Sequence, residues 1–379
     1  MRLVVKKSEF LNALQAVVKA VPSRTTKPIL YGIFLQATED TLEIIAYDLE
    51  MGIEYSIHNP GPDSELLDIQ IPGAIVISAR YLFDIARKLP GELVRIDVHE
   101  LTVTLSAGAA TFTLNGMDAR EFPPLPQVYD KRGLAMSAVT LRDLVEKTAY
   151  AIATVDSRPI LTGVLCEYTE THLTMTATDS YRLATATAVI EASTDHALVN
   201  SVIPGKALRE IARLLPDDDT IVDILISDNQ LVLQTDALRI YSRLLEGVYP
   251  DLSHIIPANH KTVITLDAKL FLDCIERAAL LARDVDNQIV NLHIRPTHIE
   301  VTSRSPAIGR VTDSFEPTTF QGEDLQLACN ARYLAEGLRA VAGGAVRIQF
   351  TGKGSPFVIR PLEGSRFLHL ILPVRVIGT

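Results

Sequence analysis

Apolar residues at 82, 85, 86 and 89 within ARYLFDIARKLP (79–90) recur at the three-and-four spacing of an amphipathic helix, and Pro90 marks its end. At 100° per residue from Arg80, the residues Leu82, Ile85, Ala86 and Leu89 gather around the opposite side, and Arg87 falls back beside Arg80. The pattern predicts a helix with one core stripe and two basic residues aimed directly away from it. It returns in GKALREIARLLP (205–216) and ARYLAEGLRAVA (331–342), each copy starting 126 residues after the last. Three such periods span 378 of the 379 residues, so a threefold repeat organises the chain. Leu82, Leu208 and Leu334 correspond in the core stripe, although Gly337 stands where Ile85 and Ile211 would predict an apolar side chain. The outward positions are Arg80 and Arg87, then Lys206 and Arg213, then Arg332 and Arg339. All six are basic.

Each third also opens on a helix-like segment: EFLNALQAVVKAV (9–21), TLRDLVEKTAYAIA (140–153) and DAKLFLDCIERAALLAR (267–283). KPILYG (27–32) reappears as RPILTG (158–163), and AYD (46–48) as ATD (177–179), both 131 residues on. Alternating runs such as TLEIIAYD, HLTMTATD and HIEVTSRS, separated by turn residues, predict antiparallel hairpins. Every third therefore reads helix, strands, helix, strands, a doubled half-unit of the α+β class. The segments EFPPLPQVYDKRG (121–133) and YPDLSHIIPANH (249–260) mark the joins, giving three similar domains over 1–128, 129–254 and 255–379.

Composition adds little until charge is mapped onto these elements. With 47% hydrophobic and 22% charged residues the chain is globular. The opening MRLVVKKSEF lacks the apolar stretch of a signal peptide, and Cys166, Cys274 and Cys329 lie too far apart for a metal motif. Buried reduced thiols and a cytoplasmic location are expected. A net charge of −10 argues against a nucleic-acid partner until it is divided. Six helical windows (9–20, 78–89, 140–153, 204–215, 267–283, 330–342) hold 14 basic and 9 acidic residues, net +5, leaving −15 for the rest. The helical faces are where a polyanion belongs. Such repeats can form an open interaction scaffold or close into a ring with that face inward. A ring needs only sequence-independent phosphate attraction, because topology retains the DNA.

Catalytic signals fail. Gly205-Lys206 is followed by Ala207 where a phosphate loop needs Ser or Thr, and Gly352 and Gly354 lack a third glycine. His293 and His298 lie five apart in strand-like sequence, on opposite sides and poorly placed for a metal. PDDDT (216–220) reads as a solvated acidic turn. No catalytic residue, metal or cofactor is expected.

The ordered set KPIL, AYDLEM, ISARYLFDIARKLP, EFPPLP, RPILTG, ATDSYRLA and EGVYPDL resembles the bacterial DNA polymerase III beta subunit, the sliding clamp, along the whole chain. The resemblance implies three domains of the DNA clamp fold per chain and a head-to-tail homodimer closed into a ring around double-stranded DNA, with helices lining the hole and sheets outside. It also implies a clamp loader that opens the ring and tethering of the polymerase III alpha subunit and other proteins with a clamp-binding motif. By resemblance, a partner-peptide pocket takes in Leu161, Thr178, Tyr181, Arg182, Leu183, Pro250, Ile255, Leu370, Leu372, Val374 and Arg375. The dimer seam takes in Phe112 and Leu114 of TFTLNG with Leu280 and Leu281 of RAALLAR. Arg24 and Arg158 join the six helical cations as DNA contacts. Two departures stand out. Ser180-Tyr181 replaces a common Gly-His, and the chain ends LPVRVIGT, whose Ile377-Gly378-Thr379 extends past the family's usual terminus.

Overall fold

Amphipathic periodicity produces six α-helices among the described residues: α1 (Lys7–Val17), α2 (Ala79–Lys88), α3 (Ala138–Thr148), α4 (Gly205–Leu214), α5 (Ala268–Ala282) and α6 (Ala331–Ala340). The computed structural model describes residues 1–59, 61, 66–127, 133–155, 157–192, 200–227, 229–252, 254–282, 288–341, 343–364 and 366–374. The expected domain join at 128/129 lies outside them. In α2, Leu82 and Ala86 are fully buried, and Leu89 just past its end nearly so, while Ile85, at the edge of the stripe, is only half-buried. Leu208, Ile211 and Leu334 are buried as the period requires. Each such side chain contributes about 1.5–3 kcal/mol by leaving water.

Two helices end sooner than the sequence suggests. α1 gives way to a 3-10 turn at Val18–Ala20. α3 stops at Thr148 instead of running to 153: the Ala149 N–H still reaches the Val145 carbonyl (2.8 Å), and the chain then tightens into a turn closed from Ala151 N–H to the Thr148 carbonyl (2.9 Å).

The chain divides into two compact units, one of residues 1–138, 192–196 and 213–244, the other of 139–191, 197–212 and 245–379. The first holds a five-stranded sheet and a nine-stranded one. The nine run Gly73–Ser78, Gly32–Ala37, Thr41–Tyr47, Met51–His58, Leu238–Arg243, Gln230–Gln234, Ile221–Ile226, Gly133–Ser137 and Glu191–Ala192 in spatial order. The second unit repeats that order with Ser201–Pro204, Gly163–Tyr168, His172–Thr178, Arg182–Val189, Arg366–Ile371, Phe357–Pro361, Ala345–Phe350, Thr262–Asp267 and Thr319–Gly322, and adds a four-stranded sheet. The pairings are antiparallel, and the middle third supplies strands to both nine-stranded sheets.

The repeated Asp has a local role. Asp48 Oδ1 accepts from the N–H groups of Glu50 (2.9 Å) and Met51 (2.6 Å), and Asp179 Oδ1 from those of Tyr181 (2.9 Å) and Arg182 (3.0 Å). Each carboxylate closes a turn whose next residue, Leu49 (φ 77°) or Ser180 (φ 75°), is left-handed. A glycine would relieve that strain at Ser180. Gly337 is explained by its surroundings: a Cβ there would lie 2.1 Å from Cδ2 of the fully buried His369.

Candidate functional site

The eight candidate DNA contacts, Arg24, Arg80, Arg87, Arg158, Lys206, Arg213, Arg332 and Arg339, are all exposed. Arg80 makes no ion pair among the described residues. Arg87 lies 3.6 Å from Asp84, Arg332 bonds Glu336 (3.0 Å), and Arg339 bonds Glu276 (2.6 Å). Pairs this exposed are worth about 0–1 kcal/mol, so a phosphate competes for these cations readily. Asn330 fixes the start of α6 by accepting from the N–H groups of Arg332 (2.9 Å) and Tyr333 (3.2 Å). Exposed Lys88 and Arg209 add positive charge off the Arg80 axis. Both were countable in the helical windows.

The second unit brings together part of the expected peptide pocket. Leu183 and Leu370 sit opposite each other on paired strands and cluster with Val358 and Leu368, with Leu252 and Ile256 of the loop after Pro250 packed against them. Leu372 donates its N–H to the Tyr181 carbonyl (2.9 Å), and Val374 to that of Ala328 (2.7 Å). Tyr181, Pro250 and Ile255 are exposed. Leu161 is buried in the Pro159–Thr162 turn and is not a member of the cluster. Arg375 and residues 377–379 lie outside the described residues. Leu252, Ile256, Val358 and Leu368 went unnoticed because cross-strand register, which pairs them, is not written in the sequence.

Two polar members of that set are turned inward. The Thr178 hydroxyl donates to the Arg182 carbonyl (2.6 Å) and accepts from Ser180 N–H (3.1 Å). The Arg182 side chain is 3% exposed, bonded to Asp179 (2.9 Å), to Glu336 and to the Tyr150 carbonyl (2.7 Å), with the Tyr333 ring 4.4 Å beneath it. Beside it, His369 Nε2 lies 3.1 Å from the Tyr333 carbonyl and so donates, leaving Nδ1 to accept from the Tyr150 hydroxyl (3.0 Å). Burial, with Arg182 nearby, pushes the His369 pKa down to about 3, and burial pushes that of Tyr150 up. His369 and Leu370, being adjacent in one strand, face opposite sides of the sheet, so the knot around His369 lies behind the apolar cluster.

The candidate seam residues lie at sheet edges and on α5. Ala110–Asn115 is the edge of the five-stranded sheet, with Phe112 38% exposed and Leu114 half-buried on the same face. Leu280 of α5 is 56% exposed and Leu281 half-buried. Leu280 shares a depression with Arg332 and Arg339, so candidate seam and candidate DNA residues adjoin there. Gly309–Phe315, an edge strand of the four-stranded sheet, packs beside α5 through Phe271 and Phe315 (5.2 Å between ring centres) and through Arg277 and Asp313 (2.7 Å). Its unpaired edge was not foreseen.

His293 and His298 do not face apart as expected. A hairpin turn brings both rings to the Arg295 guanidinium, at 2.8 and 3.1 Å, where a fixed positive charge opposes a metal cation. Among the described residues no group of three or more His, Cys, Asp or Glu is placed to hold a metal. In PDDDT, Asp218 accepts from Thr220 N–H (2.9 Å), closing the turn on itself. Cys166, Cys274 and Cys329 are free and buried, and burial pushes each thiol up to about 12, where the reactive thiolate is absent. No helix among the described residues is long and apolar enough to cross a membrane.

Three family models match in succession: the DNA polymerase III beta subunit N-terminal domain over 1–126, central domain over 135–251 and C-terminal domain over 253–375. A beta sliding clamp of Bacillus subtilis is 38% identical over 377 residues, covering 99% of this chain and all of that one. The crystal structure of the DNA polymerase sliding clamp from Bacillus subtilis superposes with a TM-score of 0.96 at 38% identity, both chains fully covered. The beta chain of DNA polymerase III from Streptococcus pneumoniae does so at 0.93 and 30% identity, covering 99% of this chain and all of that one. With all three thirds matched in order, the chain belongs to the bacterial DNA polymerase III beta subunit family, the sliding clamps.

Proposed function

We infer that this chain is a sliding clamp: a non-catalytic accessory subunit that closes into a ring around duplex DNA and tethers the replicative polymerase. The observation that carries this reading is the outward basic pair on α2, α4 and α6, repeated three times opposite a conserved-in-kind apolar stripe within an acidic chain. Arg80, Arg87, Lys206, Arg213, Arg332 and Arg339, with Arg24 and Arg158, contact the phosphate backbone without reading bases. The domains run 1–128, 129–254 and 255–379.

Two copies join head to tail. The exposed edge Ala110–Asn115 of one copy, with Phe112 and Leu114, is covered by the partner copy's Leu280, Leu281 and free edge strand, which removes an aggregation hazard and closes the ring. The apolar face around Leu183 and Leu370, rimmed by Tyr181, Pro250, Ile255, Leu372 and Val374, takes a short peptide from the polymerase III alpha subunit, the clamp loader and other clamp-binding proteins, with Arg375 a further candidate from the family resemblance. Leu161, Thr178 and Arg182 hold the turns that shape it.

Loading onto a nicked DNA circle by a clamp loader and ATP, followed by cutting the circle, tests the ring. Retention is expected on the circle and rapid loss from the cut ends. Equal retention on linear DNA would mean an open scaffold instead. Phe112→Asp is expected to lower retention on the circle with little change in thermal melting.

A further inference from the structure

Beneath the proline-rich strap of residues 119–127, the first unit contains an open cavity of about 740 Å³. Its floor is one face of the nine-stranded sheet, and the strand register sets its chemistry. Gln234, Arg239, Glu54, Ile45 and Phe34 lie directly opposite one another on five adjacent strands, with Glu43 two residues from Ile45 on the same face. The strap is anchored at two points. Phe122 stacks on Phe34 with ring centres 5.3 Å apart, and Leu125 reaches down to Gly52, where a Cβ would lie 2.6 Å from its Cδ2.

The same register in the second unit shows what is unusual here. Thr185 and Leu368 stand for Glu54 and Arg239, Leu183 and Leu370 for Gly52 and Tyr241, and Thr174 for Glu43. At these positions the second unit has leucine and threonine, with Arg360 standing for Gln234, whereas the first places two carboxylates there. Glu54 is 7% exposed, with Oε2 accepting from the Tyr241 hydroxyl (3.0 Å) and Oε1 facing Arg239 (3.4 Å). Arg120, at the rim, is held by Asp118 through Nε (3.0 Å) and Nη2 (2.5 Å), so that pair is neutral. Two carboxylates then face one guanidinium. Glu43 makes no hydrogen bond or ion pair among the described residues, and burial together with Glu54 raises its pKa. A carboxylate in that position is short of one positive charge. Apolar groups flank it on both sides, Phe34 and Phe122 toward one end and Val232 and Leu225 toward the other.

We propose that this strap-covered cavity is a second docking groove, for a peptide segment of a partner protein in which an arginine or lysine lies between apolar residues, its cation seated between Glu43 and Glu54. The volume is that of a ligand pocket, and three prolines in the strap hold an extended wall with few backbone donors to compete. The apolar flanks supply contact area and the carboxylates supply selectivity. The proposal does not depend on the peptide site around Leu183 and Leu370, whose floor has the opposite character.

Methyl NMR on the full-length protein labelled at Ile, Leu and Val tests it, with acetyl-Leu-Arg-Leu-amide and acetyl-Leu-Gln-Leu-amide as probes. The arginine peptide is expected to shift the Ile45, Leu125, Leu225 and Val232 methyls saturably and to bind at least about tenfold more tightly than the glutamine peptide. Glu43→Gln is expected to bring the arginine peptide down to the glutamine peptide's affinity. Shifts confined to Leu183 and Leu370 would place the ligand in the other groove and overturn the proposal. Equal affinity for the two peptides, no shift at the four methyls, or full preference surviving in Glu43→Gln would each do the same.

Discussion

The two nine-stranded sheets share a strand order and a left-handed turn closed by an aspartate, yet matched positions on one face of each differ in chemistry. Gly52, Glu54, Arg239 and Tyr241 in one unit stand where Leu183, Thr185, Leu368 and Leu370 stand in the other. A second divergence lies on the other face of the same strands. His369 occupies the position that Ile240 holds in the first unit, and Gly337 replaces the isoleucine of the other two repeated helices. What the repeats keep is the helical stripe and the basic residues opposite it. Core packing fixes the fold, and each copy is free to change what it offers on the remaining surfaces, provided compensating pairs such as Gly337 and His369 change together.

The shared feature is the place to look for the largest effect. Arg80, Lys206, Arg213 and Arg332 changed together to glutamate replace four proposed phosphate contacts with four repulsions. Residence on a closed circle is expected to shorten by at least about a hundredfold, with the dimer intact by sedimentation. Undiminished retention would sink the assignment of these helices to DNA. The divergent pair comes next. Gly337→Ile, which makes α6 resemble its siblings, drives a side chain into the His369 ring and is expected to cost about 3 kcal/mol in urea unfolding. Combining it with His369→Ala should recover much of that loss. An unaltered midpoint in the single variant would show that the close contact does not constrain the helix.

His369 also makes the second unit sensitive to acid in a way Ile240 does not. The folded ring stays neutral down to about pH 3, whereas the unfolded ring takes up a proton below its ordinary 6.5. The unfolded state therefore binds more protons between those values. The stability of the neutral, buried ring is complete above pH 6.5 and lost progressively as pH falls toward 3, about 3 kcal/mol by pH 4.5. His369→Gln keeps a donor and an acceptor but cannot titrate. Its unfolding free energy is expected to converge on that of the unmodified protein as pH falls from 7 to 4.5. A constant gap between the two would mean that the imidazole is already solvated.

Much of the fold was legible because it rests on periodicity. The apolar stripe at Leu82, Leu208 and Leu334 and the basic residues opposite it follow from 3.6 residues per turn, and the strands follow from alternation. What stayed hidden depends on register or on distant partners. Gly337 was visible as an exception, but its cause lies 32 residues on, in a strand that side-chain spacing cannot dock against α6. AYD and ATD were visible as a repeat, but their role in closing left-handed turns needed backbone geometry. Arg182 reads equally well as a pocket residue or as part of a buried knot. The Glu43, Glu54 and Arg239 grouping crosses almost 200 residues and exists only once three strands are aligned.

The smallest effect separates the two grooves from each other. In the second unit the strand Arg366–Ile371 runs on into Leu372 and Val374, which are tied by their N–H groups to Tyr181 and Ala328 at the rim. In the first, the matching strand Leu238–Arg243 is followed by Leu244, whose N–H bonds the Asn229 carbonyl (2.9 Å) instead of a rim residue. Truncation after Leu372 removes Val374 and its tie while leaving Leu183 and Leu370 in place. Calorimetry with a peptide bearing the clamp-binding motif of the polymerase alpha subunit is expected to show about a tenfold weaker affinity, roughly one rim contact and one hydrogen bond. The arginine peptide's affinity for the strap-covered cavity should be unchanged by the same truncation. Equal loss for both peptides would mean that the tail acts on the stability of the whole chain, and the distinction between an apolar and an acidic groove would then have to be sought elsewhere.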